Sequence, residues 1–359
     1  MAIIHVLGAD IPHHTTTLLT FFDQVLNHEV PCAQARHFIV VSQDISLAQQ
    51  FPHLLIERVS SKRELAQRVV GLAKNRETQF FCHGQFNPYL WLALLSGQIK
   101  KHQLHWHIWG ADLYETSRAL TFRLFYFLRR RAQGRVAAVY ATLGDLSVYQ
   151  QKYPQIATHK LYFPTKMSAR VQQASSMDKS QAMTILLGNS GDPTNRHCQA
   201  LTQIARQFGQ QVNIYIPMGY PQNNQAYITE VKSLAAQLFP SDQVTVITEK
   251  ISFEAYLDLV SRCDLGYFIF ARQQGVGTLS LLIDQNIPFI ISRNNPFWRD
   301  LADQQLPVLF DEDPLDSALI QRARQQLMAQ DKSKIAFFSP GYLQGWRDVL
   351  QGIERESKS

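Results

Sequence analysis

The chain is 359 residues long, with 45% hydrophobic and 18% charged residues; that supports a large core and excludes disorder, collagen-like repeats and coiled coil. Lys+Arg 35 against Asp+Glu 29 leaves a formal net charge of +6, too modest over this length to argue for a nucleic-acid partner. Four cysteines, Cys32, Cys82, Cys198 and Cys263, form no CxxC pair, which speaks against a zinc ribbon, a dithiol redox centre or a disulfide-stapled secreted fold.

In chain order, short β-branched runs alternate with longer amphipathic stretches. The first half predicts strands at Ile3–Leu7, Phe38–Val41, Gln79–Cys82, Leu104–Trp109, Val136–Ala141 and Lys160–Phe163. Helices are expected at Ser61–Asn75, where Leu65, Val69 and Leu72 share a face, at Tyr89–Ser96 and at Thr116–Arg131. The second half predicts strands at Thr184–Leu187, Val212–Ile216, Val244–Thr248, Leu265–Phe270, Phe289–Ser292 and Val308–Phe310. Helices are expected at Asn195–Phe208, Asn224–Leu238, Phe253–Arg262, Thr278–Gln285, Pro296–Gln304 and Leu315–Ala329. This alternation predicts α/β architecture: two Rossmann-like, doubly wound domains facing a cleft. The expected boundaries are 1–165, a polar linker at 166–182, 183–332, and a tail at 333–359 whose helix crosses back to the first domain. The N-terminus lacks a basic n-region, and the longest uncharged stretch near the middle, 78–99, is interrupted by His83, Gln85, Asn87 and Pro88. Neither a signal peptide nor a membrane-spanning helix is expected.

In open α/β sheets ligands bind beyond the carboxyl ends of the strands, so the chemistry is sought in those loops. In the second domain Gly188-Asn189-Ser190-Gly191 lets backbone approach a ligand, with amides suited to phosphate oxygens. Phe270-Ala271-Arg272-Gln273-Gln274-Gly275-Val276-Gly277-Thr278 ends a strand and opens a helix, whose N-terminus suits a diphosphate with Arg272 beside it. Tyr220 offers a ring to a base or sugar, and Glu249 faces the same side. In the first domain Asp10, His13 and His14 form a polar cluster after the first strand, and Asp112 follows the strand carrying His105 and His107. Each of these four is a candidate base for a hydroxyl proton. A metal reading of His102, His105 and His107 lacks a completing ligand. Arg118, Arg123, Arg129, Arg130, Arg131 and Arg135 interleave with Leu120, Phe122, Leu124, Phe125, Tyr126, Phe127 and Leu128, a composition suited to an anionic membrane surface.

Ordered segments across nearly the whole chain carry a resemblance. They include Asp10-Ile11-Pro12-His13-His14, His83-Gly84-Gln85-Phe86-Asn87-Pro88, His107-Ile108-Trp109-Gly110-Ala111-Asp112, Gly188-Asn189-Ser190-Gly191-Asp192, Pro217-Met218-Gly219-Tyr220-Pro221, Gly266-Tyr267-Phe268-Ile269-Phe270-Ala271-Arg272-Gln273-Gln274-Gly275 and Asn295-Pro296-Phe297-Trp298. The sequence resembles the 4-alpha-L-fucosyltransferases, the TDP-N-acetylfucosamine:lipid II N-acetylfucosaminyltransferases. That resemblance implies a GT-B glycosyltransferase fold and transfer of 4-acetamido-4,6-dideoxy-D-galactose from a TDP-sugar donor. The implied acceptor is undecaprenyl-diphosphate carrying N-acetylglucosamine and N-acetylmannosaminuronic acid, and the product is lipid III of enterobacterial common antigen. The place implied is the cytoplasmic face of the inner membrane, as a peripheral protein. The first domain would then take the acceptor and the second the nucleotide sugar. No DxD motif stands where a metal clamp on the diphosphate would, so metal independence and no cofactor are expected. The rival reading is a sugar-nucleotide oxidoreductase of Rossmann type; the GxGxxG it needs after the first strand is absent.

Overall fold

The structure, a computed structural model, describes residues 3–32, 34–115, 117, 119–164, 182–221 and 224–356. The chain divides into two compact units, Met1–Thr165 with Ala336–Ser359, and Lys166–Ile335. Most of the expected linker, 166–181, lies outside the described residues, as do Thr116 and Arg118.

Unit 1 carries β1 (Ile3–Leu7), β2 (His37–Val41), β3 (Leu55–Val59), β4 (Gln79–His83), β5 (Leu104–His107), β6 (Ala138–Ala141) and β7 (Ala157–Lys160), all parallel, in the order β3-β2-β1-β4-β5-β6-β7. Strand alternation divides its interior. Ile4, Val6, Phe80, Cys82, Leu104 and Trp106 point into one apolar layer. His5, Phe81, His83 and His107 point to the other face, among Phe22, Phe38 and Trp346. His5 Nδ1 lies 2.9 Å from His83 Nε2. Burial pushes His5 and His107 down to about 3 and His83 well below its ordinary value, so these imidazoles pack as neutral rings.

The last helix, Gly341–Glu356, covers that face. Its Trp346 is 0% exposed and donates its indole N–H to the Tyr162 carbonyl at 3.0 Å. The tail is therefore part of unit 1.

Unit 2 carries β8 (Met183–Leu187), β9 (Val212–Pro217), β10 (Val244–Ile247), β11 (Leu265–Phe268), β12 (Phe289–Ile291) and β13 (Leu309–Phe310), parallel, in the order β10-β9-β8-β11-β12-β13. Its core gathers Ile185, Leu187, Ile214, Ile216, Leu265 and Tyr267 with helix residues such as Leu201, Ile204 and Val231. In both sheets the order reverses beside the first strand, between β1 and β4 and between β8 and β11. Those are the topological switch points at which such sheets take ligands.

Several elements depart from the sequence expectation, the unforeseen helix Leu143–Gln150 among them. β3 was not foreseen: it is an edge strand whose Glu57 and Arg58 break the apolar pattern. The last strand of unit 1 lies at Ala157–Lys160 rather than Lys160–Phe163, because it too is a mostly exposed edge. The apolar Leu161-Tyr162 that suggested a strand is instead buried just beyond it. A helix, Pro12–Phe21, occupies what reads as a loop, so His13 and His14 stand in a first helical turn.

Candidate active site

Four loops of unit 2 converge at the switch point. Gly188 adopts φ +70°, and a Cβ there would lie 2.6 Å from His197 Nε2 and 2.7 Å from Asn195 Oδ1. Asn195 is buried; its Oδ1 accepts from Asn189 N at 2.9 Å and its Nδ2 donates to Ser190 Oγ at 3.2 Å. The loop after β8 meets the loop after β9 where Gly191 N donates to the Tyr220 carbonyl at 2.6 Å. Asn224 seals the same junction, donating to the carbonyls of Gly191 and Met218 at 3.2 and 3.1 Å. At Gly219 a Cβ would lie 2.1 Å from the Glu249 carbonyl oxygen, which brings in the loop after β10. The loop after β11 joins through Thr194 Oγ1, which donates to Gln274 Oε1 at 2.9 Å, and through Gly275, at φ +69°, against Asn189. Gly188, Asn189, Ser190, Gly191, Tyr220, Glu249, Gln274 and Gly275 thus share one surface.

Gly275 opens the helix Val276–Asp284 with no side-chain cap. Its first-turn amides carry the positive end of the helix dipole. A Cβ at Gly277 would meet nothing within 4 Å. Arg272 and Gln273 lie half-buried on the same loop. Tyr220 is 67% exposed, a ring available to stack on a base. His197, 0% exposed, has its Nδ1 3.2 Å from the Tyr227 hydroxyl, and its Nε2 has no partner among the described residues.

Two residues expected to touch a ligand do something else. Phe270 is fully buried and forms the floor beneath Gly275. The Thr278 hydroxyl is paired with Tyr256 Oη at 3.0 Å, leaving its backbone amide as its contribution. Asn195, His197 and Asn224 were missed; their signal was their place just after glycine turns, where a helix start must satisfy loop backbone.

In unit 1 the loops after β1 and β4 touch, with a Cβ at Gly8 lying 3.1 Å from Asn87 Cβ. Asp10 is exposed and its Oδ2 accepts from Gln43 N at 3.3 Å, which ties the loops after β1 and β2. His13 and His14 are exposed in the first turn of Pro12–Phe21, their rings 5.7 Å apart. Trp109 and Phe163 stand 5.2 and 5.5 Å from the His14 ring. Exclusion of water by these neighbours pushes His14 down to about 4, and His13 adds to it. The open edge of the ring tempers that shift, but both causes leave His14 neutral at pH 7.

The profile of the 4-alpha-L-fucosyltransferases, glycosyl transferase group 56, matches residues 1–355. The chain belongs to this family. It is a glycosyltransferase, and a sugar-nucleotide donor and an acceptor are its substrates. The fold is GT-B. A UDP-forming trehalose-phosphate synthase from Burkholderia xenovorans superposes with TM-score 0.61 at 11% identity, over 100% of each chain. The N-terminal domain of Candida albicans trehalose-6-phosphate phosphatase gives TM-score 0.62 at 11% identity over 100% of this chain and 97% of that one. Sucrose-phosphate synthase from Thermosynechococcus elongatus gives 0.59 at 12% identity, covering 99% and 96%. The oxidoreductase reading falls with the family membership.

Asp112 is corrected by the geometry. It is 1% exposed; Oδ2 accepts from Gln85 N at 2.8 Å and from Trp106 Nε1 at 2.7 Å, while Oδ1 accepts from Trp109 N at 2.9 Å. Burial pushes its pKa up and these donors pull against that. A carboxylate so enclosed braces the loops after β4 and β5 and does not reach a substrate hydroxyl. Asp112→Asn replaces one accepting oxygen with an amide NH2 group that faces N–H donors, so it is expected to cost unit 1 about 2–3 kcal/mol, read as a lowered melting temperature. Loss of turnover at unchanged stability would instead restore Asp112 as the base.

The metal reading of the histidines also separates in space. His105 is held by Tyr140 Oη at 3.1 Å and Gln79 Oε1 at 3.2 Å, while His102 is exposed and bonds the Arg76 carbonyl.

Proposed function

We propose that this glycosyltransferase moves 4-acetamido-4,6-dideoxy-D-galactose from TDP to the disaccharide of N-acetylglucosamine and N-acetylmannosaminuronic acid on undecaprenyl diphosphate, at the cytoplasmic face of the inner membrane. The observation that carries the reading is the convergence of four unit 2 loops on an uncapped helix N-terminus, in a chain of the fucosyltransferase family. Donor diphosphate lies against the amides that open Val276–Asp284, with Arg272 beside it; Tyr220 stacks on the thymine and Glu249 meets the sugar part of the nucleotide. As the anomeric carbon–oxygen bond breaks, these groups stabilise the charge gathering on the diphosphate. The acceptor hydroxyl oxygen forms the new bond to that carbon, and His14 takes its proton. Helix amides and an arginine serve where other enzymes use a cation, so the reaction runs without a metal. The test is transfer of labelled sugar from TDP to the lipid-linked disaccharide by the purified chain. Lipid-linked trisaccharide is expected, at a rate unchanged by EDTA; no transfer would contradict the donor and acceptor assignment, and loss with EDTA the metal independence.

The membrane reading rests on the helix Leu120–Gln133. Leu120, at 79% exposure, Leu124 and Phe127 form a stripe at helical spacing, and the Arg131 guanidinium stands 3.9 Å over the Phe127 ring. Arg123 is exposed beside them. Other arginines of the stretch serve the fold: Arg129 is buried on the carbonyls of Leu113 and Tyr114, Arg130 pairs with Glu115, and Arg135 bonds the Leu95 carbonyl. Among the described residues no helix is long and apolar enough to cross a membrane. An apolar stripe with flanking arginines suits insertion at an anionic interface. Phosphatidylglycerol vesicles are expected to carry the wild type in flotation, and Leu124→Glu with Phe127→Glu to weaken binding more than about tenfold, each side chain contributing about 1.5–3 kcal/mol. Flotation of wild type and variant alike would contradict this.

A further inference from the structure

Three separate segments of unit 1 each deliver one aromatic ring to a cluster around Trp109, and His14 stands against two of them, Trp109 and Phe163. Phe86 comes from the loop after β4, Trp109 from the loop after β5, and Phe163 from the stretch following β7. Trp109 lies 5.3 Å from Phe163, edge to face, and 6.4 Å from Phe86; His14 sits 5.2 Å from Trp109 and 5.5 Å from Phe163. The backbone is shaped to bring them together. Gly84 adopts φ +64°, and the space of its missing Cβ is taken by Trp109, 2.6 Å away, and Phe86, 2.9 Å away. All three rings keep part of their surface uncovered, although large aromatic side chains elsewhere in the unit, such as Trp91, Trp106 and Trp346, are fully buried. The indole N–H of Trp109 is buried and has no partner among the described residues, so the surface this ring offers is its remaining, carbon-lined part.

We propose that Phe86, Trp109 and Phe163 form the surface against which the acceptor's sugar ring lies, with Trp109 at its centre and His14 beside Trp109 and Phe163; this deepens the function proposed above and rests on it. A pyranose has an apolar face of C–H groups that covers an aromatic ring well, while its hydroxyls project from the rim. Ring burial therefore holds the sugar, and a rim hydroxyl meets the neutral imidazole. Lys62 places an ammonium at the Phe86 end, where its Nζ donates to the Phe86 carbonyl at 3.2 Å. A cation beside an aromatic platform selects a sugar that carries a carboxylate, as a uronic acid does.

The experiment titrates the full chain with the free disaccharide of N-acetylglucosamine and N-acetylmannosaminuronic acid, reading tryptophan fluorescence. The wild type is expected to give a saturable change that Trp109→Phe abolishes, because the other fluorophores lie elsewhere. Phe163→Leu is expected to weaken the titration, and to raise the acceptor KM in transfer, by at least about tenfold, the loss of about 1.4 kcal/mol. TDP affinity and melting temperature are expected to stay at wild-type values in both variants, which separates a lost platform from a damaged fold. No saturable change in the wild type, a change that persists in Trp109→Phe, or an unmoved affinity and KM in Phe163→Leu would each overturn the platform. Absence of transfer from the TDP-sugar would instead sink the donor assignment, and the direct sugar titration would still decide the platform.

Discussion

His14→Ala is expected to lower kcat by about 10²–10⁴-fold, the range for removing a positioned general base. His14 stands in the first turn of Pro12–Phe21, exposed at its edge. A base must be unprotonated to accept a proton. The helix N-terminus, the aromatic neighbours and His13 all disfavour the imidazolium, and the pKa is pushed down to about 4. The sign for activity follows. Turnover is sustained as pH falls through 6.5, the ordinary histidine value, and is lost only below it, as the ring protonates. An exposed side chain replaced by alanine changes stability by roughly 0.5 kcal/mol or less, so the variant should melt with the wild type. His13→Ala is the companion: among the described residues the ring contact His13 makes is with His14 rather than with Trp109 or Phe163, so its effect on kcat should be much the smaller. Turnover by His14→Ala within about threefold of wild type would remove the base assignment, since a positioned base contributes far more than that.

Gly219→Ala is expected to abolish detectable TDP binding. Its new Cβ would lie 2.1 Å from the Glu249 oxygen, 2.3 Å from that carbonyl carbon and 2.6 Å from Lys250 N. All three are backbone atoms, so no side chain can swing aside. The loop after β9 or the loop after β10 must move, at a cost of about 1–3 kcal/mol for overpacking. Either movement pulls Tyr220 or Glu249 away from the surface built by the other loops. Gly277→Ala provides the contrast. Its Cβ meets open space at the start of a helix, so the fold should keep its stability or gain from alanine's better helix propensity, by up to about 1 kcal/mol. The methyl group does intrude where a diphosphate would approach the first-turn amides, so TDP should still bind more weakly. Calorimetric titration with TDP alongside thermal melting reads both; wild-type TDP affinity in Gly219→Ala would contradict the site.

The regular alternation of β-branched and amphipathic runs made the two parallel sheets legible, since strands buried on both faces must be continuously apolar. The edge strands were not, because Leu55–Val59 and Ala157–Lys160 carry exposed polar residues that no burial pattern marks. Pro12–Phe21 was hidden by three successive threonines and the lack of a capping side chain at Ile11. That concealed the detail that matters for His14, its place on a helix end. The turns of unit 2 were legible as turns because their glycines interrupt the apolar runs at the strand ends, and Gly188 and Gly275 do take positive φ there. Asp112 was misread because its partners come from Gln85, Trp106 and Trp109, and enclosure by residues up to 27 positions away leaves no local trace. Phe270 shows the same limit, since sequence cannot tell the floor of a loop from its surface.

The central claim is that a thymidine nucleotide's diphosphate rests on the loops of unit 2. Titration of the purified full chain with TDP, by calorimetry, in wild type, Arg272→Ala and His14→Ala tests it most directly. The account predicts saturable binding that Arg272→Ala weakens by at least about tenfold, the loss of about 1.4 kcal/mol, and that His14→Ala leaves unchanged. Binding indifferent to Arg272→Ala but lost in His14→Ala, or no binding to the wild type, would contradict it.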